Sequence, residues 1–200
     1  MPDKEKKTLR DEYLIKRDGL SSKMRHQMSA AILENLIRSP IYKSANDIGF
    51  YCSFGSEVET SEMMSRAITD NKSIYLPVIA PSDKKMHFCH FDGDVCCLTC
   101  NSFGIMEPKK MPAIADQVLD LIIVPGLIFT KNGWRIGHGA GYYDRYLKIV
   151  DATTSGVAFS TQMRESIPKG KFDVPLDYVI TEKELFIRNE PKPVFSGFQK

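Results

Sequence analysis

Between Pro125 and Leu147 the chain sets three glycines at alternate positions, Gly137, Gly139 and Gly141, between a cation, Arg135, and a carboxylate, Asp144. Alternating glycines let a backbone approach a ligand closely and turn its amides toward it, and a helix starting just behind them would complete a phosphate cradle. A guanidinium such as Arg135 meets phosphate oxygens through two parallel hydrogen bonds. The carboxylate of Asp144 is the hard oxygen that nucleotide-bound magnesium prefers. The apolar run Leu121-Ile122-Ile123-Val124 lies just upstream, and ligands of open parallel sheets sit at the carboxyl ends of the strands. Glycine-rich turns also occur for packing alone, so the glycines by themselves leave ligand site and structural turn both open. A dinucleotide fingerprint fits poorly, because about ten residues separate the strand from the glycines and no acid ends a strand about 20 residues beyond.

Other residues gain meaning from their order. Lys6, Leu9 and Arg10 form Lys-x-x-Leu-Arg near the start; Cys52 precedes Ser56-Glu57-Val58-Glu59-Thr60; Phe103-Gly104-Ile105-Met106-Glu107-Pro108 lies mid-chain; and Phe172-Asp173-Val174-Pro175-Leu176-Asp177 follows later. Taken singly these are an exposed helical face, a loop acid before a helix and a turn acid before a proline. Together with Pro125-Gly126, Phe129, Gly133, Arg135, Gly137, Gly139, Gly141-Tyr142-Tyr143-Asp144 and Leu147, they closely resemble the signature of the 5-formyltetrahydrofolate cyclo-ligases, also called methenyltetrahydrofolate synthetases. The resemblance runs from about Lys6 to Leu185.

It implies an ATP-dependent ring closure of 5-formyltetrahydrofolate to 5,10-methenyltetrahydrofolate, with phosphorylation of the formyl oxygen and release of ADP and phosphate. ATP contacts are then expected from Lys6, Lys7, Thr8, Leu9, Arg10, Arg135, Ile136, Gly137, His138, Gly139, Ala140, Gly141, Tyr142 and Tyr143. Folate contacts are expected from Arg10, Cys52, Glu57, His138, Gly139, Ala140, Gly141 and Tyr142, and magnesium ligation from Asp144 and Asp173. Lys6 and Arg135 are the implied catalytic cations; no residue is assigned as a general base. Some members of the family carry basic residues where this chain has His138 and Ala140, so contacts through those two side chains are not implied. Two rival readings remain: a nucleotide binder of another class, and an idle member of the fold that serves as a binding module.

The elements that would hold these residues follow from periodicity. Lys6 to Asp18 reads as a helix with an apolar stripe of Leu9, Tyr13 and Leu14, closed by Gly19. A second helix starts at Ser21 or Ser22, uses Met24, Met28, Ile32, Leu33, Leu36 and Ile37, and stops at Ser39-Pro40. Strands are expected at Asp47 to Ser53, Ser73 to Ile79, Lys85 to Phe91, Leu119 to Val124, Gly156 to Phe159 and Tyr178 to Ile180, with helices at Thr60 to Ile68 and Tyr142 to Val150. The stretch between Phe91 and about Asp116 reads as irregular. The fold class is α/β, a mostly parallel sheet covered by helices on both faces in a single Rossmann-like domain, residues 1–187, with 188–200 a flexible tail.

Composition sets the remaining bounds. With 27 Lys and Arg against 25 Asp and Glu, the net charge of +2 is too small to argue for nucleic acid. The charged N-terminus lacks the apolar run of a signal peptide, and Leu121–Val124 is too short to span a bilayer. Five cysteines are an odd count, and one Cys-x-x-Cys at Cys97 and Cys100, beside Cys96 and near Cys89, His87 and His90, falls short of a four-ligand zinc site. A cytoplasmic monomer is expected, with small-molecule partners and neither nucleic acid nor membrane among them.

Overall fold

The computed structural model of the protein describes residues 2–79, 85–100, 104, 106–108 and 118–191. The chain opens with helix α1 (Pro2–Asp18), whose inward face is Lys6, Leu9, Tyr13 and Arg17. This face carries two cations, and Leu14, expected in the stripe, is exposed. Helix α2 (Ser22–Arg38) starts where Ser21 Oγ accepts the Met24 amide at 3.3 Å and buries Ile32 and Leu36 completely. Ser39-Pro40 ends α2 as expected, but Ser39 also caps a further short helix, α3 (Pro40–Ser44), in which proline occupies the first turn, where no amide partner is lost.

Then come β1 (Asp47–Gly49), α4 (Ser61–Thr69), β2 (Ser73–Ile79), β3 (Met86–Phe91), β4 (Leu98–Cys100), β5 (Met106–Pro108), β6 (Leu121–Val124), β7 (Ile128–Phe129), β8 (Arg135–Ile136), α5 (Tyr142–Tyr146), β9 (Thr153–Val157), β10 (Tyr178–Ile180) and β11 (Leu185–Ile187). Seven strands form one sheet in the order β11-β10-β9-β6-β1-β2-β3. The five central strands are parallel, while β3 and β11 pair antiparallel at the two edges. The mostly parallel α/β class therefore holds.

All four residues of β6 are buried, and they alternate between two apolar clusters. Leu121 and Ile123 join Ile32, Leu36, Met63 and Ala67 from α2 and α4, while Ile122 and Val124 join Tyr146, Leu147, Val174 and Leu176. A continuous hydrophobic run is what burial on both faces of a parallel strand requires. Phe129 has no exposed surface, and its ring lies where a Cβ on Gly126 or Gly156 would stand, at 2.6 and 2.5 Å.

Several boundaries differ from expectation. Strand β1 stops at Gly49, because beyond Phe50 the backbone bonds to a side chain: Thr60 Oγ1 donates to the Tyr51 carbonyl at 2.6 Å and accepts the Ser53 amide at 3.2 Å. The helix expected through Val150 ends at Tyr146, where the chain tightens into turns. The stretch read as irregular contains the β4–β5 ribbon, with Thr99 opposite Glu107; Phe103, Ile105, 109–117 and the tail from 192 on lie outside the described residues. Cys89 is buried and Cys96, Cys97 and Cys100 are exposed.

Candidate functional site

Loops leaving the carboxyl ends of β1, β6 and β9 meet helix α1 and the segment 169–176 at one end of the sheet. Lys6, buried on α1, sends its ammonium to Asp173 Oδ2 at 2.5 Å, and the same oxygen accepts the Gly170 amide at 2.8 Å. One turn along, Arg10 Nε donates to the Gly137 carbonyl at 2.9 Å. The sequence spacing of four places both cations on one face of the helix.

Strand β8 delivers Arg135, whose side chain is 3% exposed. Its Nη1 donates to Asp144 Oδ2 at 3.4 Å, and Nη2 faces Asp144 Oδ1 at 3.3 Å. Neither Nε nor Nη2 completes a hydrogen bond among the described residues. Asp144 Oδ1 also accepts the Val174 amide at 3.3 Å, one residue from Asp173, so the two acids, 29 residues apart, meet at one place. Between Arg135 and Asp144 runs the glycine loop. Gly139 has φ +104, and a Cβ there would stand 3.3 Å from Arg10 Cζ. Such a φ is open to glycine and strained for a branched residue.

The second half of the site hangs from β1. Glu57 is 5% exposed; its Oε2 accepts the Phe54 amide at 3.3 Å and its Oε1 lies 3.3 Å from His138 Nε2 on the glycine loop. The His138 ring lies 5.8 Å from the Phe54 ring, centroid to centroid. Burial pushes the Cys52 thiol up to about 11. Burial first, and then the Glu57 charge, raise the Tyr143 phenol well above its ordinary value, and its hydroxyl is buried without a hydrogen-bond partner among the described residues. A neutral, unpaired phenol is a donor held in reserve.

The remaining expected residues fall into different settings. Lys7 and Thr8 are exposed on the outer side of α1, and Thr8 Oγ1 turns back to the Lys4 carbonyl. Leu9 and Ile136 are core, packed with Tyr13, Leu127, Ile128 and Ile167. Ala140 and His138 lie on the exposed rim, with the Ala140 carbonyl accepting Arg145 Nη1 at 3.0 Å. Tyr142 is half-buried, its ring 5.0 Å from the Arg145 guanidinium. Helix α5 has five residues, so its dipole adds little to the cradle, which must rest on loop amides and on Arg135, Lys6 and Arg10.

Three supporting residues were not anticipated. Arg17 Nε donates to Ser56 Oγ at 2.9 Å, Ser56 hydrogen-bonds Asp18, and Gln162 Nε2 donates to the Gly126 and Leu127 carbonyls at 3.0 and 3.1 Å. The spacing Lys6, Arg10, Tyr13, Arg17 marks one helical face and was the available signal for Arg17. Ser56 and Gln162 leave no sequence trace. An open hollow of about 410 Å³, lined by Leu119, Asp120, Asp151, Ala152, Thr153 and Asp177, lies at the amino ends of β6 and β9, away from this constellation.

Residues 2–182 match the model of the 5-formyltetrahydrofolate cyclo-ligase family. The 5-formyltetrahydrofolate cyclo-ligase of Haemophilus influenzae is 30% identical over 182 residues, covering 88% of this chain and 97% of that protein. The mouse 5-formyltetrahydrofolate cyclo-ligase is 29% identical over 189 residues, covering 88% and 93%. Among solved structures, the 5,10-methenyltetrahydrofolate synthetase of Aquifex aeolicus superposes with a TM-score of 0.81 at 31% identity, covering 95% of this chain and 96% of that one. No helix among the described residues is long and apolar enough to cross a membrane.

Proposed function

Because this chain belongs to the 5-formyltetrahydrofolate cyclo-ligase family, a family of ligases, we propose that it converts 5-formyltetrahydrofolate and ATP into 5,10-methenyltetrahydrofolate, ADP and phosphate. The observation that carries the reading is the convergence of Arg10 and Arg135 on the loop of Gly137, Gly139 and Gly141, beside Asp144 and beside Asp173 with its partner Lys6. Three cations around a glycine-lined turn suit a triphosphate.

A formamide oxygen is a poor leaving group, so the neighbouring amine cannot close the ring directly. In the proposed sequence that oxygen attacks the γ-phosphorus, the bond to ADP breaks, and the folate's second nitrogen then attacks the activated carbon. The carbon–oxygen bond breaks, and phosphate leaves with the oxygen and the proton released by that nitrogen. The protein's part is positioning and charge neutralisation. Lys6, Arg10 and Arg135 offset phosphate charge, and the Nε and Nη2 donors of Arg135, buried and without a hydrogen-bond partner among the described residues, are the ones a phosphate oxygen would satisfy. Glu57 holds hydrogen-bond donors of the pterin, with Cys52 and a Tyr142 or Tyr143 ring at its border.

Magnesium fits the acids present. Asp144 and Asp173 meet through Val174, their side chains are 22% and 18% exposed, and magnesium takes one or two carboxylates plus phosphate oxygens. It would draw charge from the phosphates while Arg135 and Lys6 exchange their carboxylate partners for phosphate oxygens. The same reading makes the chain a cytoplasmic monomer. It also treats residues 1–187 as one Rossmann-like domain with helices over both sheet faces, and 188–200 as a tail. Formation of the methenyl product, followed by its absorbance with ATP and magnesium each omitted in turn, tests the activity. Product formed without ATP, or none with all components and folded protein, would refute it.

A further inference from the structure

We infer that Arg17 is a positioning residue for folate: it holds the Glu57 loop and the Gly126 loop against α1, and so sets where the pterin end of the substrate lies. This inference rests on the reading of Glu57 as a folate contact. Arg17 is 3% exposed, and its Nε and Nη1 are engaged by protein groups away from the glycine loop. Nε donates to Ser56 Oγ at 2.9 Å, directly beside Glu57, and Nη1 reaches the Gly126 carbonyl at 3.5 Å. Ser56 Oγ donates its hydrogen bond to Asp18 Oδ1, so the hydroxyl is fixed in direction and accepts from Arg17. On the far side, Gln162 holds the same Gly126 carbonyl at 3.0 Å. Three segments that approach the site separately, α1, the loop after β1 and the loop after β6, thus share one buried guanidinium.

Electrostatics point the same way. Glu57 is a nearly buried carboxylate whose direct partners are one backbone amide and a half-exposed histidine. A buried charge needs compensation nearby. Of the charges acting on the buried Arg17 guanidinium, that of Glu57 is the largest. Removing Arg17 therefore both loosens the Glu57 loop and takes away a buried cation that interacts with the Glu57 charge. Lys6 and Arg10 lie two to three turns away on the same helix, where their own partners, Asp173 and Gly137, fix them independently. The effect should be felt by folate and much less by ATP.

Arg17→Gln, Arg17→Lys and Ser56→Ala are compared with the wild-type protein by steady-state kinetics. The expected result is a KM for 5-formyltetrahydrofolate raised about tenfold in Arg17→Gln, with KM for ATP changed less than about twofold, and a partial return in Arg17→Lys. Ser56→Ala should move the folate KM in the same direction by a smaller factor. Equal changes in both KM values, or a lowered melting temperature with unchanged kinetics, would overturn the inference and leave Arg17 a purely structural residue. Absence of turnover by the wild-type protein would instead remove the proposed function. In that case equilibrium binding of 5-formyltetrahydrofolate decides the matter: weaker affinity in Arg17→Gln, with faster hydrogen exchange at the Phe54 and Glu57 amides and α2 unchanged, supports the inference, and unchanged affinity overturns it.

Discussion

Asp173→Asn separates a metal ligand from a mere partner for Lys6. Asparagine keeps the shape and one acceptor for the Gly170 amide, which Asp173 holds at 2.8 Å, so the loop should persist. What is lost is one negative charge beside a buried ammonium at 2.5 Å. A phosphate about 5 Å from that carboxylate would feel a repulsion of about 3 kcal/mol at an effective dielectric near 20. The Asp173 side chain is 18% exposed, and screening by solvent should cut this to about 1.5 kcal/mol, or about tenfold in affinity. Without magnesium, then, Asp173→Asn should bind ATP about tenfold more tightly than the wild-type protein. With magnesium the order should reverse, because one of two carboxylate ligands is gone. Calorimetric titration of ATP at fixed ionic strength, in chelator and in excess magnesium, reads both arms. Weaker binding in chelator together with an undiminished gain from magnesium would refute the reasoning and make Asp173 a structural counter-ion only. Leaving Lys6 without its anion should also cost about 1–3 kcal/mol of stability, visible as a lowered melting temperature.

Asp144→Asn should act through the same ion, so the double variant with Asp173→Asn should show strongly non-additive losses of magnesium-dependent turnover; additive losses would mean the acids do not share a metal. Gly139→Val forces a branched residue to φ +104 against Arg10, and should weaken ATP about tenfold with a cooperative melt retained; unchanged titration would reduce the loop to a packing turn. At Gly133, with φ +80 and its Cβ position 2.0 Å from the Leu176 carbonyl oxygen, Gly133→Ala should cost about 3 kcal/mol or more in urea unfolding, and a loss under about 1 kcal/mol would contradict the packing. Cys52 ionises near 9 when unfolded and at about 11 when folded, so its share of stability is complete below 9.0 and disappears as pH rises through about 11. Cys52→Ala should flatten the fall of stability across that window, and parallel curves would show that the thiol is not the cause.

The sequence determined much of the frame. The unbroken run Leu121-Ile122-Ile123-Val124 can satisfy all its side chains only between two apolar layers, and β6 is the central strand flanked by β1 and β9. Ser21 or Ser22 marked the start of α2, with Ser21 the cap, and the apolar sequence from Ser73 to Ile79 marked all of β2, because caps and strand patterns are local signals. The signature from Pro125 to Leu147 named the loop on which cations gather, since glycine alternation and fixed charges are visible without any fold.

Tertiary structure alone decided the rest. Strand β11 and the antiparallel hand of both edge strands depend on partners far along the chain, which no local pattern encodes. The length of β1 was settled by Thr60, a residue beyond it, whose hydroxyl takes the Tyr51 carbonyl and Ser53 amide that a strand would have offered to a neighbour. Leu9, Tyr13 and Leu14 suggested one helical stripe, yet the helix turned Lys6 and Arg17 inward and Leu14 out, because a carboxylate at Asp173 and neutral acceptors at Ser56 and Gly126 waited on the inner side. A sequence shows which groups can carry charge; that Lys6 meets Asp173 across 167 residues, and Arg17 meets Ser56 across 39, is a property of the assembled fold.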